Sequence, residues 1–245
     1  MDSGVSFAVQ RWAAWAPELN SPAAWQDWAA GNADIPDTDD APDVRDLPAG
    51  LRRRLSRIGK IALRVAMDVG TEDEPRVVFS SRNGNVTQML SLLQSMSVDE
   101  PISPTGFGMS VHNSLAGMLS IISKNRESHT AIAAGEESLC LGVIEALTWL
   151  QEDPSTPVLL LHCDEKLPEF YAPFQEPETP VCALGLLLSA AGDEGEAGYR
   201  FGFDGTPTRA ATGDPLQSFI RFLLRGEAAW NWSGAEGDWW CRRHA

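Results

Sequence analysis

The stretch TAIAAGEESLCLGVIEALTWL, residues 130–150, constrains the fold more than any other part of the chain. From about Glu136 to Leu150 the pattern is helical, and Leu139, Leu141, Val143, Ile144, Leu147 and Trp149 leave almost no polar face. A helix that is apolar on nearly every side belongs at the centre of a fold. A short β-like lead and a turn of small residues precede it, so the segment predicts a strand turning sharply into a buried helix. Such a turn is a good seat for a cysteine nucleophile, because the helix dipole and free backbone N–H groups stabilise a thiolate there. Ile132 occupies the turn, and a sec-butyl side chain can neither ionise nor accept an acyl group. Cys140 is no substitute, since it lies within the helix rather than at the turn.

Strand-like and helix-like segments alternate around this element. LRRRLSRIGKIALRVAMDVG, from residue 51, places Leu51, Leu55, Ile58, Ala62, Val65 and Ala66 at helical spacing and predicts an amphipathic helix with a basic start. RVVFSS follows as a strand, NVTQMLSLLQSM as a helix, DEPISPTGF as a Pro-bounded connector and NSLAGMLSIIS as a further helix. Beyond the central helix, TPVLLLH and TPVCALGLLLSA read as buried strands. DPLQSFIRFLLRG reads as a helix capped by Asp214, with Pro215 at its first position and Gly226 as its stop. The alternation argues for an α/β layered fold. Residues 32–50, rich in Asp and Pro, predict an exposed acidic loop joining an N-terminal strand to the body, and the whole chain, 1–245, reads as one domain. Eight of the nine tryptophans cluster near the two ends, which predicts that both ends are anchored by buried indoles.

A formal net charge of −15 disfavours nucleic acid and anionic membrane surfaces as partners. No apolar run is long enough to span a bilayer and no signal-peptide pattern opens the chain, so a soluble cytoplasmic protein is expected. The four cysteines lack any C-x-x-C pair and are expected to be reduced and buried, and Cys241 with His244 does not amount to a zinc site. No G-x-S-x-G elbow, Walker A loop or G-x-G-x-x-G occurs. His112, His129, His162 and His244 are dispersed, and His162, alone in an apolar strand, reads as a hydrogen-bonded structural residue.

MSVHNSLAGMLSIISKNRESHTAIAAGEESLCLGVIEAL resembles the segment of β-ketoacyl synthases that runs from an Asn-x-x-Ala-Gly helix into a Thr-Ala-Cys-Ala-Ser-Gly elbow. Asn113, Ala116 and Gly117 carry the helix signature; Thr130, Ala131, Ala133 and Gly135 carry the elbow. Ile132 stands where those enzymes have their nucleophilic cysteine. ISPTGF and VVFSSRNGN also sit where a ketosynthase carries similar segments, so the likeness covers roughly residues 50–150. The remainder is similar to short ketosynthase-like proteins associated with chain length factors of aryl polyene clusters. The resemblance implies a thiolase-like layered fold corresponding to the N-terminal half of a ketosynthase, without the second half that supplies the histidine pair.

With neither cysteine nor histidines, Claisen condensation by this chain alone is not expected. The expected function is a non-catalytic, chain-length-factor-like subunit, paired as a heterodimer with a full-length β-ketoacyl synthase in fatty-acid-like or aryl polyene polyketide elongation and needing no cofactor or metal. Phe107, Met109, Asn113, Met118, Ile121, His129, Thr130 and Ile132 are the residues expected to line the acyl tunnel or the partner interface. Arg52, Arg53, Arg54, Arg57 and Lys60 form a basic run that would suit the acidic recognition surface of an acyl carrier protein, though a solvated helix face offsetting nearby acids accounts for the same pattern. Two other readings stay open: an acyltransferase or hydrolase with a reworked site at Ser138 or His129, and a homodimeric acyl-binding protein.

Overall fold

The computed structural model describes residues 4–175, 181–192, 198–205 and 213–244. Eight strands form one mixed sheet: β1 Val5–Trp15, β2 Arg76–Ser80, β3 His129–Ile132, β4 Val158–Asp164, β5 Cys182–Ala190, β6 Gly198–Asp204, β7 Ala229–Ser233 and β8 Asp238–His244. Their order is β3-β2-β4-β5-β1-β6-β8-β7. β2 is parallel to both β3 and β4, and every other pairing is antiparallel. The strand expected over 179–190 begins at Cys182; Thr179 and Pro180 lie outside the described residues.

The sheet is covered on both faces, which is why β4 and β5 read as continuous apolar runs rather than alternating ones. On one face α7 (Ser138–Glu152), α8 (Pro215–Arg225) and α1 (Pro22–Ala30) bury Leu139, Val143, Leu147, Phe219, Ile220 and Trp28 against Val78, Leu160 and Leu186. On the other, α3 (Arg57–Val69) and α6 (Ser114–Ser123) bury Ile58, Ile61, Val65 and Leu119 against Val77, Phe79, Leu159 and Leu161. At about 1.5–3 kcal/mol for each large apolar side chain removed from water, these two layers dominate the folding energy.

The central helix departs from expectation at Leu141, which remains 36% exposed. Helix α7 lies on the sheet with its other side open, so a residue on that side stays outside the core. The end of α7 is fastened by Arg76, whose Nη2 donates to the carbonyls of Trp149 at 2.8 Å and Asp153 at 2.9 Å while its guanidinium lies 5.6 Å from the Trp149 ring centre. Free carbonyls at a helix C-terminus are satisfied in this way by a cation.

The amphipathic helix expected from residue 51 is two helices, α2 (Ala49–Arg52) and α3. Ser56 causes the break: its backbone is extended and its hydroxyl accepts from the Gly59 N–H, which caps α3 afresh. Part of the connector expected over 99–107 is helical, since Pro104–Ser110 forms α5 under a Ser103 cap. Helix α4 spans Val86–Ser97. For α8 the signals act as expected: Asp214 accepts from the Leu216 N–H at 2.8 Å and Gly226 adopts φ +60°.

The C-terminal tryptophans lie in the β7–β8 hairpin, whose strand β8 pairs with β6 and prolongs the sheet beyond β1. Trp230, Trp232, Trp239 and Trp240 are buried. Trp240 fits because its indole crosses Gly202, where a Cβ would come within 2.1 Å of the ring. The N-terminal set is less buried: Trp15 and Trp28 are in the core, while Trp12 and Trp25 are only partly covered.

Candidate functional site

Strand β3 ends at Ile132, whose carbonyl accepts from the Ser81 N–H at 3.1 Å. Two alanines follow, then Gly135 at φ +58° turns the chain into a 3-10 turn, Gly135–Glu137, and α7. The αL backbone suits glycine. Ser138 locks this elbow: its hydroxyl donates to the Gly135 carbonyl at 2.7 Å and accepts from the Ala134 N–H at 3.0 Å. The buried Glu137 carboxylate accepts from the Glu236 N–H at 3.1 Å and so ties the elbow to the turn between β7 and β8.

Ile132 is partly buried, packed on the α7 side of the sheet. Its side chain leaves the end of β3, just before the turn into α7, apolar and without a nucleophilic atom. None of the four cysteines replaces it, for all are free and buried. Burial pushes the thiols of Cys140 and Cys163 well up, and that of Cys241 to about 12. The reworked hydrolytic site is not assembled either. Ser138 spends its hydroxyl on the turn, and His129 is exposed at the far end of β3. The serine and histidine that do meet are Ser80 and His162, 3.0 Å apart and enclosed in the core. His162 therefore takes the hydrogen-bonded structural role expected of it.

Strand β3 forms the outer edge of the sheet, and among the described residues it pairs only with β2. Helices α4, α5 and α6 pack in succession, with α6 against β3, and this flank carries an apolar surface. Met89, Leu93 and Met96 form a stripe at i, i+4 and i+7 on α4. Phe107 is 60% exposed and Ile121 70%. Large apolar side chains gathered on one exposed flank are the kind of surface that a partner covers. Of the residues expected here, Phe107, Ile121, Asn113 and His129 are exposed, and Thr130, Ile132 and Met118 are half-covered. Met109 departs from that group: it is 6% exposed and belongs to the α3 core layer, because α5 turns it inward under α6. The α4 stripe carries no distinct signal in the sequence, where its spacing is that of an ordinary buried helix face.

The basic run is divided. Arg57 donates to the carbonyls of Asp40 at 2.9 Å and Thr38 at 2.7 Å, Arg52 donates to that of Arg45 at 2.9 Å, and Arg64 pairs with Asp46 and Asp68. These three fasten the acidic loop. Arg53 and Arg54 are exposed and Lys60 half-exposed, without partners among the described residues. Among the described residues no group of three or more His, Cys, Asp or Glu gathers as for a metal. No described helix is long and apolar enough to cross a membrane.

A mixed sheet sandwiched by helices, with a strand-to-helix elbow beside a bare sheet edge, defines a thiolase-like ketosynthase fold. The sequence profile of the β-ketoacyl synthase N-terminal domain matches residues 25–241, and the chain belongs to that family. No curated protein sequence matches the chain. Among solved structures it is similar to a chain in the ketosynthase (ApeO) in complex with its chain length factor (ApeC) from Xenorhabdus doucetiae. That match has a TM-score of 0.83 and 27% identity over 98% of this chain and 100% of the other. The ishigamide ketosynthase/chain length factor matches at TM-score 0.61 and 19% identity over 81% of this chain and 68% of that one. A type II acyl-carrier protein in complex with its ketosynthase, AntDE:AntF, matches at TM-score 0.59 and 12% identity, over 89% and 73% respectively. These last two likenesses concern the fold.

Proposed function

We propose that this chain is a non-catalytic, chain-length-factor-like subunit that pairs with a full-length β-ketoacyl synthase in fatty-acid-like or aryl polyene chain elongation in the cytoplasm, acting as a single domain. The observation that carries the reading is Ile132 at the elbow: the scaffold for a nucleophile is kept while the reacting atom is replaced by a branched hydrocarbon. The apolar flank supports it further, because a surface carrying Leu93, Met96, Phe107 and Ile121 gains most when a partner covers it. The 27% identity over the full length of a chain in a ketosynthase and chain length factor complex points the same way.

In this reading the partner supplies the thiol and the oxyanion donors, and this chain supplies wall. Ile132, Thr130, Met118 and Phe107 would bound the space into which an acyl chain grows, since removing apolar surface from water favours a tunnel of their length and opposes a longer one. Arg53, Arg54 and Lys60 remain the residues for an encounter with an acidic carrier protein, which salt would weaken.

Co-expression with a ketosynthase encoded beside it, followed by co-purification and product analysis, tests the proposal. A stable heterodimer is expected, with product length or yield collapsing when this chain is omitted. Leu93→Arg combined with Ile121→Arg is expected to abolish co-purification without lowering the thermal midpoint of the isolated chain. Turnover of acyl thioesters by the isolated chain, with no complex formed, would overturn it.

A further inference from the structure

Helix α4 is fastened to the rest of the chain at its first turn and hardly beyond it. Val86 is the one buried residue of its twelve, whereas α3 buries eight of thirteen. At that first turn the Thr87 hydroxyl meets the Glu165 carboxylate at 3.4 Å, and the Asn85 amide donates to the Met109 carbonyl at 2.9 Å. Farther along, the inner side of α4 rests on α5, where Gly106 admits Gln88 and Leu92: a Cβ there would lie 3.2 Å from Gln88 Nε2 and 3.5 Å from Leu92 Cδ2. Helix α5 is itself a thin support, for Met109 is its one buried residue and Phe107 points to solvent.

The sequence of α4 does not make up for the missing packing. Its N-cap, Asn85, makes no side-chain cap bond; no acid stands in the first turn and no base in the last, and the residue at its far end is Val98 rather than glycine. No charged residue occurs within VTQMLSLLQSMS, so no ion pair braces one turn against the next. Helix α8, of similar length, has the Asp214 cap, Arg225 in its last turn, the Gly226 stop and four buried residues. A twelve-residue helix without such aids is marginal in water. Little burial offsets the entropy lost in ordering it, so it belongs to the part of the molecule that opens at low cost.

We infer that α4 is a docking element ordered by the ketosynthase partner: frayed beyond its first turn in the free chain, it becomes a full helix when the stripe of Met89, Leu93 and Met96 is covered. Helix α5, and with it Phe107, is steadied in the same step, so the wall is complete only in the complex. This rests on the assignment of the β3 flank to the synthase. Helix α4 packs on α5, α5 on α6 and α6 on β3, so the stripe continues that flank.

Hydrogen exchange read by mass spectrometry, on the isolated full chain and on the co-purified heterodimer, tests it. Peptides covering 86–97 should exchange within seconds in the free chain and slow about a hundredfold or more in the complex, while those of α3 and α7 are protected in both. Ser91 is exposed on the side of α4 away from the stripe, where its helix propensity can be changed without touching the docking surface. Propensity enters the docking equilibrium only if the helix forms on docking. Ser91→Ala should therefore bind the synthase more tightly than Ser91→Gly, by about two- to fivefold, at an unchanged thermal midpoint of the free chain. Equal protection of 86–97 in the free chain and the complex, or equal affinity of the two variants, would overturn the inference and leave the heterodimer standing. A complex in which 86–97 stays unprotected would overturn it too, by assigning docking to other elements. If no heterodimer forms, the proposed function falls and this inference with it.

Discussion

The hydroxyl of Ser80 joins two elements that meet below the elbow: it donates to the main-chain carbonyl of Ser138 at 2.5 Å and lies 3.0 Å from Nδ1 of His162. With its proton committed to Ser138, Ser80 accepts from His162, so the imidazole carries its hydrogen on Nδ1. The other ring nitrogen, Nε2, faces Asp164 at 3.7 Å. That carboxylate is held by the Ser81 hydroxyl and by the N–H groups of Arg82 and Asn83. The first turn of α7, the end of β2 and the end of β4 are thereby fixed through one buried imidazole.

Burial lowers the pKa of His162 below the ordinary 6.5, with the negative charges of Asp164 and Asp214 opposing. The unfolded chain therefore takes up this proton first, and the stability that neutral His162 contributes is complete above about pH 6.5 and lost as the pH falls below it. Asp214 acts in the opposite sense, because burial raises its pKa and protonation at still lower pH relieves a cost. The urea midpoint of the wild type is expected to drop between about pH 7.5 and 5.5, and His162→Asn, which can still donate to Ser80, to lose most of that dependence. Equal slopes in the two proteins would refute the assignment.

Gly142 on α7 closes over the same serine. A Cβ there would lie 2.8 Å from the Ser80 Cβ and 3.1 Å from Leu160 Cδ1. Gly142→Ala is therefore expected to cost about 1–3 kcal/mol through overpacking, despite the better helix propensity of alanine. Ser80→Ala should cost about 1–3 kcal/mol by leaving His162 and a buried carbonyl without their partner. Combining Gly142→Ala with Ser80→Gly should destabilise less than the sum of the two, by about 0.5 kcal/mol or more, in chemical denaturation. Strict additivity would show that the two sites do not touch.

Much of the scaffold is legible in local chemistry. Asp214, Pro215 and Gly226 specify α8 by capping alone, and the runs in β4 and β5 announce strands buried on both faces. The elbow is legible because its small residues and its helix are contiguous. What local patterns do not carry is pairing at a distance: β6 and β8 are joined across some forty residues, with Gly198 opposite His244, and the tryptophans of β8 read only as anchors. The division of α2 from α3 is hidden because apolar spacing continues across it, and only Ser56 marks the new start. The fate of the arginines was equally invisible, since a guanidinium that clamps backbone carbonyls and one that faces solvent have the same neighbours in sequence.

That difference can be measured. Arg57→Ala removes two charge-assisted bonds to the Thr38 and Asp40 carbonyls and should cost about 1–3 kcal/mol. It should also speed cleavage of the acidic loop by endoproteinase Asp-N. Arg53→Ala, on an exposed side chain without a described partner, should stay within about 0.5 kcal/mol of the wild type and leave the cleavage rate unchanged. The reverse order would mean that the loop is held by something other than these guanidinium contacts.

Ile132 offers the sharpest chemical test of the elbow. The four native thiols are buried, and desolvation disfavours their thiolates, so the folded wild type should react with an aromatic disulfide reagent only as fast as it unfolds. Ile132→Cys places a thiol at the partly exposed turn leading into α7, where the positive end of the helix favours the thiolate. One fast equivalent should appear in the variant and none in the wild type, with the remaining thiols reacting in both after addition of urea. No gain in decarboxylative condensation should accompany it, because the turn alone has neither a proton donor nor oxyanion partners from histidine. A variant thiol no faster than the native four would show that this elbow does not favour a thiolate.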